Sequence, residues 1–122
     1  MTSIKLVAVD IDGTLLNSKR EITPEVAKAV QEAKSKGVKI VIATGRPIIG
    51  VQDLLEELKL NEEGDYVITF NGGLVQDTAT GDDIIKETLT YEDYLDFELL
   101  ARKLGVHMHA ITKEGIYTAN RD

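Results

Sequence analysis

The chain has 122 residues, enough for one domain with a real core and a small appendage. Its net charge of −7 argues against bulk attraction to nucleic acid or an anionic membrane, and the lack of cysteine removes disulfides, thiolate metal sites and cysteine nucleophiles together. The N-terminus lacks the basic, apolar, small-residue order of a signal peptide, and no apolar run nears the roughly 20 residues that span a bilayer, so a cytoplasmic location is expected.

Ile4 to Val9, apolar except for Lys5, reads as a buried strand that leaves into Asp10-Ile11-Asp12-Gly13-Thr14. Thr23 to Lys36 reads as a helix: Thr23 suits the cap, Pro24 the first helical position and Gly37 the exit. Its apolar stripe is Val26, Ala27, Val30 and Ala33. Val38 to Ile42 is a second strand, Pro47 to Leu60 a second helix burying Ile48, Val51, Leu54, Leu55 and Leu58, and Tyr66 to Phe70 a third strand. Strands this apolar are expected to be covered on both faces, and strand–helix–strand–helix–strand with short links is the pattern of a parallel α/β sheet. Right-handed crossovers would put both helices on one face.

After Gly73 the pattern changes. Leu74 to Gln76 and Ile84 to Leu89 read as a β-hairpin around Gly81. Thr90 caps a helix over Glu92 to Leu104, with Asp93 giving an imperfect capping box and Gly105 the stop. Val106 to Thr112 and Gly115 to Ala119 read as a strand pair. The expected division is an α/β core over residues 1–81 and the start of an α+β unit over 82–122.

In such sheets ligands gather at the carboxyl ends of the strands, where three polar loops fall: Asp10 to Thr14, Thr44-Gly45-Arg46, and Asn71-Gly72-Gly73. Ionised carboxylates beside an apolar core are costly without a charged or hydrogen-bonding partner, and a hard cation with a phosphate ester supplies one. Asp10 can attack phosphorus to form an aspartyl-phosphate, while Asp12 protonates the leaving oxygen and later deprotonates water. Magnesium prefers oxygen ligands and keeps several waters, so the Asp10 carboxylate and a backbone carbonyl at Asp12 would suit it. The bland alternative is a solvated acidic turn. Thr44 and Gly45, before the second helix, offer a hydroxyl and an open N–H to phosphate, and Arg46 offers a forked grip on a substrate anion or faces solvent. Asn71 and Gly72 orient substrate, brace the first loop, or simply make a turn. His107 and His109 alternate and share a face, but two histidines without a third ligand read as exposed strand residues.

These residues resemble the haloacid dehalogenase (HAD) superfamily, and within it the Cof-type sugar phosphatases. Val9-Asp10-Ile11-Asp12-Gly13-Thr14-Leu15 is similar to the first family motif, Ile42-Ala43-Thr44-Gly45-Arg46 to the second, and Thr69-Phe70-Asn71-Gly72-Gly73 to the Asn-Gly segment of the Cof branch. The resemblance implies a Rossmann-like sheet followed by the beginning of a cap. It implies Asp10 as nucleophile, Asp12 as general acid/base and Mg2+ bound by both. Phosphate contacts would come from the Ile11 backbone, Thr44 and Gly45, with a small phosphorylated metabolite, a sugar phosphate above all, as substrate. Family members run longer, completing the cap and adding a phosphate-binding lysine and a Gly-Asp motif with another metal ligand. Lys113 does not match that lysine motif. The expectation is therefore a chain that is weakly active or inactive alone and prone to self-association through the edge of its first strand. A catalytically incompetent phosphate-binding or interaction module and a sugar phosphomutase of the same superfamily are the alternatives.

Overall fold

The structure, a computed structural model, describes residues 3–119. It divides into two compact units, the first reaching Lys86 and the second beginning at Glu87. Among the described residues no helix is long and apolar enough to cross a membrane.

The first unit is built on one sheet. Leu6–Val9 (β1) and Lys39–Ala43 (β2) run parallel, with Val9 opposite Ile42. Tyr66–Thr69 (β3) lies parallel to β2, with Ile42 opposite Val67. Leu74–Asp77 (β4) and Asp83–Lys86 (β5) form the expected hairpin, turning through Gly81 at φ +78°. β4 pairs antiparallel with β3, so the sheet is mixed and reads β1-β2-β3-β4-β5. β5, which follows residues 1–81, completes this same sheet.

Between β1 and β2 runs α1, Pro24–Ser35. Thr23 Oγ1 accepts the Val26 N–H at 3.3 Å, Pro24 takes the first turn, and Gly37 at φ +80° ends the helix, as its local sequence dictates. The second helix is shorter than its sequence predicts. A single tight turn, Ile48–Gly50, is followed by Val51 at φ −133° and ψ −6°, and only then by α2, Gln52–Glu57. Two β-branched residues and a glycine form a weak helix start, and the Arg46 side chain takes the Gly50 carbonyl with Nη1 at 3.3 Å. The apolar stripe survives the break: Val51, Leu55 and Leu58 are all buried.

The core gathers Val30 of α1, Ile40 and Ile42 of β2, Val67 of β3, the α2 face with Leu60, and two residues from the loop after β1, Ile11 and Leu15. Coverage of every strand on both faces does not hold. β1 is the sheet edge, with Leu6 57% exposed and Val7 36% exposed. A strand with one neighbour keeps apolar side chains in water that a central strand would bury.

α1 and the region after α2 are joined by polar contacts. Carbonyls at a helix end need donors, and here they come from α1. Gln31 Nε2 donates to Leu58 C=O at 2.5 Å and Lys34 Nζ to Lys59 C=O at 2.5 Å. Lys34 also meets Asp65 Oδ2 at 2.6 Å, and Asp65 is only 4% exposed. Asp65 accepts the Glu62 N–H as well, at 3.0 Å. Burial pushes the Lys34 ammonium down, but hydrogen bonds to Asp65 and Glu62 and their charges outweigh it, leaving it above the usual lysine range.

The second unit opens with α3, Tyr91–Leu104. Thr90 Oγ1 accepts the Asp93 N–H at 3.1 Å and Asp93 Oδ2 accepts the Thr90 N–H at 3.0 Å, so the shorter acid closes a full capping box. Those bonds from the Thr90 backbone and side chain hold the Asp93 carboxyl below its ordinary value. Gly105 at φ +65° ends α3. The strand pair beyond is shorter than its sequence predicts: Ala110–Ile111 (β6) against Ile116–Tyr117 (β7). Thr112 Oγ1 accepts N–H groups from Glu114 at 3.2 Å and Gly115 at 3.3 Å, turning the chain early.

Removing the Lys34 charge should leave Asp65 buried without its main partner. Lys34→Met is expected to cost about 2–3 kcal/mol, read as a lower urea midpoint at unchanged slope. Because the folded value is raised, this contribution is complete below lysine's ordinary pKa and is lost as pH rises through the raised one. Wild-type and variant stabilities should therefore converge at strongly alkaline pH.

Candidate active site

Asp10 follows β1 with its backbone still extended, φ −77° and ψ 157°. The next side chain, Ile11, is 0% exposed and belongs to the core, and Leu15 is buried beside it. Ile11 opens a helical turn, Ile11–Leu15, and the acids on either side of it, Asp10 and Asp12, are both exposed. Gly13 turns the loop at φ +74°, and Leu16 closes it by donating to Ile11 C=O at 3.2 Å. The two acids thus flank an anchored residue.

The second loop follows β2. Thr44 is 6% exposed; its N–H donates to Ile68 C=O at 2.9 Å and its Oγ1 accepts the Arg46 N–H at 3.1 Å. The third loop is stapled to it. Phe70 N–H donates to Arg46 C=O at 3.1 Å and Asn71 N–H to Thr44 C=O at 3.1 Å. Making both bonds takes three consecutive residues with positive φ: Phe70 at 52°, Asn71 at 56° and Gly72 at 94°. Glycine does this without strain and asparagine tolerates it, whereas phenylalanine pays about 1–2 kcal/mol. The Asn71 side chain rests on Gly45 so closely that a Cβ there would lie 2.7 Å from Asn71 Oδ1.

Arg46 joins the second loop to the first. Its Nε donates to Asp12 Oδ2 at 3.0 Å and its Nη2 to Asp12 Oδ1 at 2.5 Å, a forked pair. The Arg46 hydrogen bond holds the Asp12 carboxyl below its ordinary value; slight desolvation opposes this, and the charges of Arg46 and Arg20 add to it. The same bond raises Arg46. The pair is open to water, with side chains 34% and 58% exposed, so its effect is orientation more than stability.

Of the residues singled out by sequence, Asp10, Asp12, Thr44, Gly45, Arg46, Asn71 and Gly72 all lie in the loops at one end of β1, β2 and β3. Arg46, a candidate for a substrate anion, rests on Asp12 in this structure. Asn71, a candidate brace for the first loop, braces the second. Thr44 and Gly45 do not stand at the start of the expected long helix, because only a single turn, Ile48–Gly50, follows them and α2 begins at Gln52. Those two residues retain a hydroxyl and a backbone N–H. The positive φ of Phe70 has no local sequence signal, although the following Asn-Gly announces a left-handed turn. Among the described residues no three or more His, Cys, Asp or Glu side chains gather as a metal cage. Two exposed carboxylates with room for water fit Mg2+, which keeps much of its hydration.

The family model for haloacid dehalogenase-like hydrolases matches residues 7–122. The chain belongs to that family. A curated relative in Streptococcus pyogenes serotype M6, named "Putative phosphatase M6_Spy0533", is 72% identical over 98% of this chain and 45% of its own length. The 5-amino-6-(5-phospho-D-ribitylamino)uracil phosphatase YcsE of Bacillus subtilis is 40% identical over 75% of this chain and 35% of its own length. A crystal structure of a haloacid dehalogenase-like hydrolase from Bacteroides thetaiotaomicron superposes with a TM-score of 0.86 at 29% identity, covering 98% of this chain and 45% of that one. The chain therefore spans less than half the length of the relatives it matches.

The contact between Gly45 and Asn71 is directly testable. Gly45→Ala should displace the Asn71 amide at a cost of about 1 kcal/mol. Asn71→Gly in the same chain removes the obstacle and suits the positive φ, so urea denaturation should show the loss recovered.

Proposed function

We propose that this chain carries the nucleophile side of a Mg2+-dependent phosphatase acting on small phosphate monoesters of sugars or sugar alcohols. The observation that carries the reading is the placement of Asp10 and Asp12 beside Thr44 and Gly45, at the carboxyl ends of adjacent parallel strands. Membership of the hydrolase family supports it, as does the phosphatase YcsE, whose named substrate carries phosphate on a ribityl chain.

In this reading a carboxylate oxygen of Asp10 attacks phosphorus, forming an O–P bond, and the P–O bond to the substrate's alcohol oxygen breaks. The leaving alkoxide takes its proton from Asp12. The aspartyl-phosphate is then hydrolysed by a water that gives its proton back to Asp12, regenerating the acid. Thr44 Oγ1 already accepts from Arg46 N–H, so its own proton points to a phosphoryl oxygen as acceptor, and the Gly45 and Ile11 N–H groups complete the cradle. A magnesium ion held by the Asp10 carboxylate and the Asp12 carbonyl would neutralise the repulsion between carboxylate and phosphate.

The Arg46–Asp12 pair bears on this scheme. A carboxyl held below its ordinary value is a poor acid at neutral pH. A phosphate dianion competes for the same guanidinium; with Arg46 drawn off and the dianion's charge beside it, the Asp12 carboxyl moves up from its lowered value toward one that can hold a proton. The second reading, an anion-binding module without turnover, is favoured by the same pair if Arg46 does not let go.

Exposure of the chain to a radiolabelled sugar phosphate with Mg2+ should leave label on Asp10, located by peptide mass mapping. Asp10→Asn should abolish both label and hydrolysis. Full turnover by Asp10→Asn would remove the nucleophile assignment. Binding of inorganic phosphate without label or hydrolysis, beside an active streptococcal relative, would establish the module instead.

A further inference from the structure

His107 and His109 have no part in the proposed reaction. They lie in the second unit, on the segment leading into β6. Alternation puts both rings on one side of the chain, which alone describes two exposed residues. The structure adds a distance: His107 Nε2 and His109 Nδ1 are 3.4 Å apart, with ring centroids 5.5 Å apart and planes inclined by 52°. One ring can donate to the other across that gap, at the long end of hydrogen-bond distance. The gap also matches the bite of a tetrahedral ion, since two nitrogens each about 2.0–2.1 Å from such a metal stand about 3.3–3.4 Å apart.

We propose that His107 and His109 form a two-imidazole clip for one borderline divalent transition ion of the Zn2+ class. Binding through Nε2 of one ring and Nδ1 of the other leaves each neutral imidazole a second nitrogen for its proton. The backbone between the rings is tied down, because Thr118 Oγ1 donates to Met108 C=O at 2.6 Å. Among the described residues no third His, Cys, Asp or Glu joins the pair, so water fills the remaining positions. Imidazole selects Zn2+, Ni2+ or Cu2+ over Mg2+, while the carboxylates of Asp10 and Asp12 have the opposite preference. The clip is thus chemically separate from the first unit's acids.

Titration of the full chain with Zn2+, in large excess of Mg2+ and followed by calorimetry and histidine ring NMR, tests the clip. The expected result is one Zn2+ per chain with both ring signals shifted, and binding weakened about tenfold or more by His107→Gln or His109→Gln. Both rings are exposed, so the variants should keep the wild-type circular dichroism. Unchanged affinity in the two variants, no saturable binding, or one ion per two chains would overturn the proposal.

Discussion

The site hangs from one buried side chain. Ile11 sits between two acids and is fully enclosed in the core, and burying a side chain of that size is worth roughly 1.5–3 kcal/mol. That burial fixes the backbone on both sides of it. Asp10 and Asp12 face away from the core as a consequence, without any contact between them having to hold them there. Leu15, buried four residues later, closes the other end of the loop. The loop is therefore an extension of the core that happens to present carboxylates, which is how charged groups can be aimed accurately at small cost in stability.

The second and third loops depend on each other in a different way. Their link is backbone hydrogen bonding between Thr44 and Asn71 and between Arg46 and Phe70, and it is reached through a left-handed path. Strained backbone of this kind persists only where its surroundings over-determine it. Here the surroundings are β3 and β4, neighbouring antiparallel strands that must be joined by a short connection, and Gly45, whose missing side chain admits the Asn71 amide. Arg46 then ties this assembly to Asp12. Three loops at one end of the sheet become one unit by three kinds of contact: core burial, backbone pairing and a charged fork.

Away from the site, the short α2 explains why α1 carries Gln31 and Lys34 where it does. A six-residue helix has too little of its own hydrogen bonding to hold its end, and α1 supplies donors to Leu58 and Lys59. Sequence periodicity predicted the buried face of this region correctly and its length wrongly. The apolar spacing of Val51, Leu55 and Leu58 is a core requirement and survives a break, whereas helix continuity depends on Gly50 and on the Arg46 side chain claiming its carbonyl. For β1 the apolar run announced the strand, and the open edge that the family resemblance implied is there, with β2 as its one neighbour in the sheet.

The sequence by itself determined whatever depends on near neighbours: the Thr23 and Thr90 caps, the glycine stops at Gly37 and Gly105, the β4–β5 hairpin, and the family motifs that Asp10 to Thr14 and Thr44 to Arg46 form. Those signals act over a few residues, so they can be read along the chain. The tertiary structure decided the partners. Arg46 finds Asp12 across 34 residues, Lys34 finds Asp65 across 31, and Asn71 settles on Gly45. Each of these polar side chains had several acceptors or solvent open to it, and only the packing of β1, β2 and β3 side by side selected one.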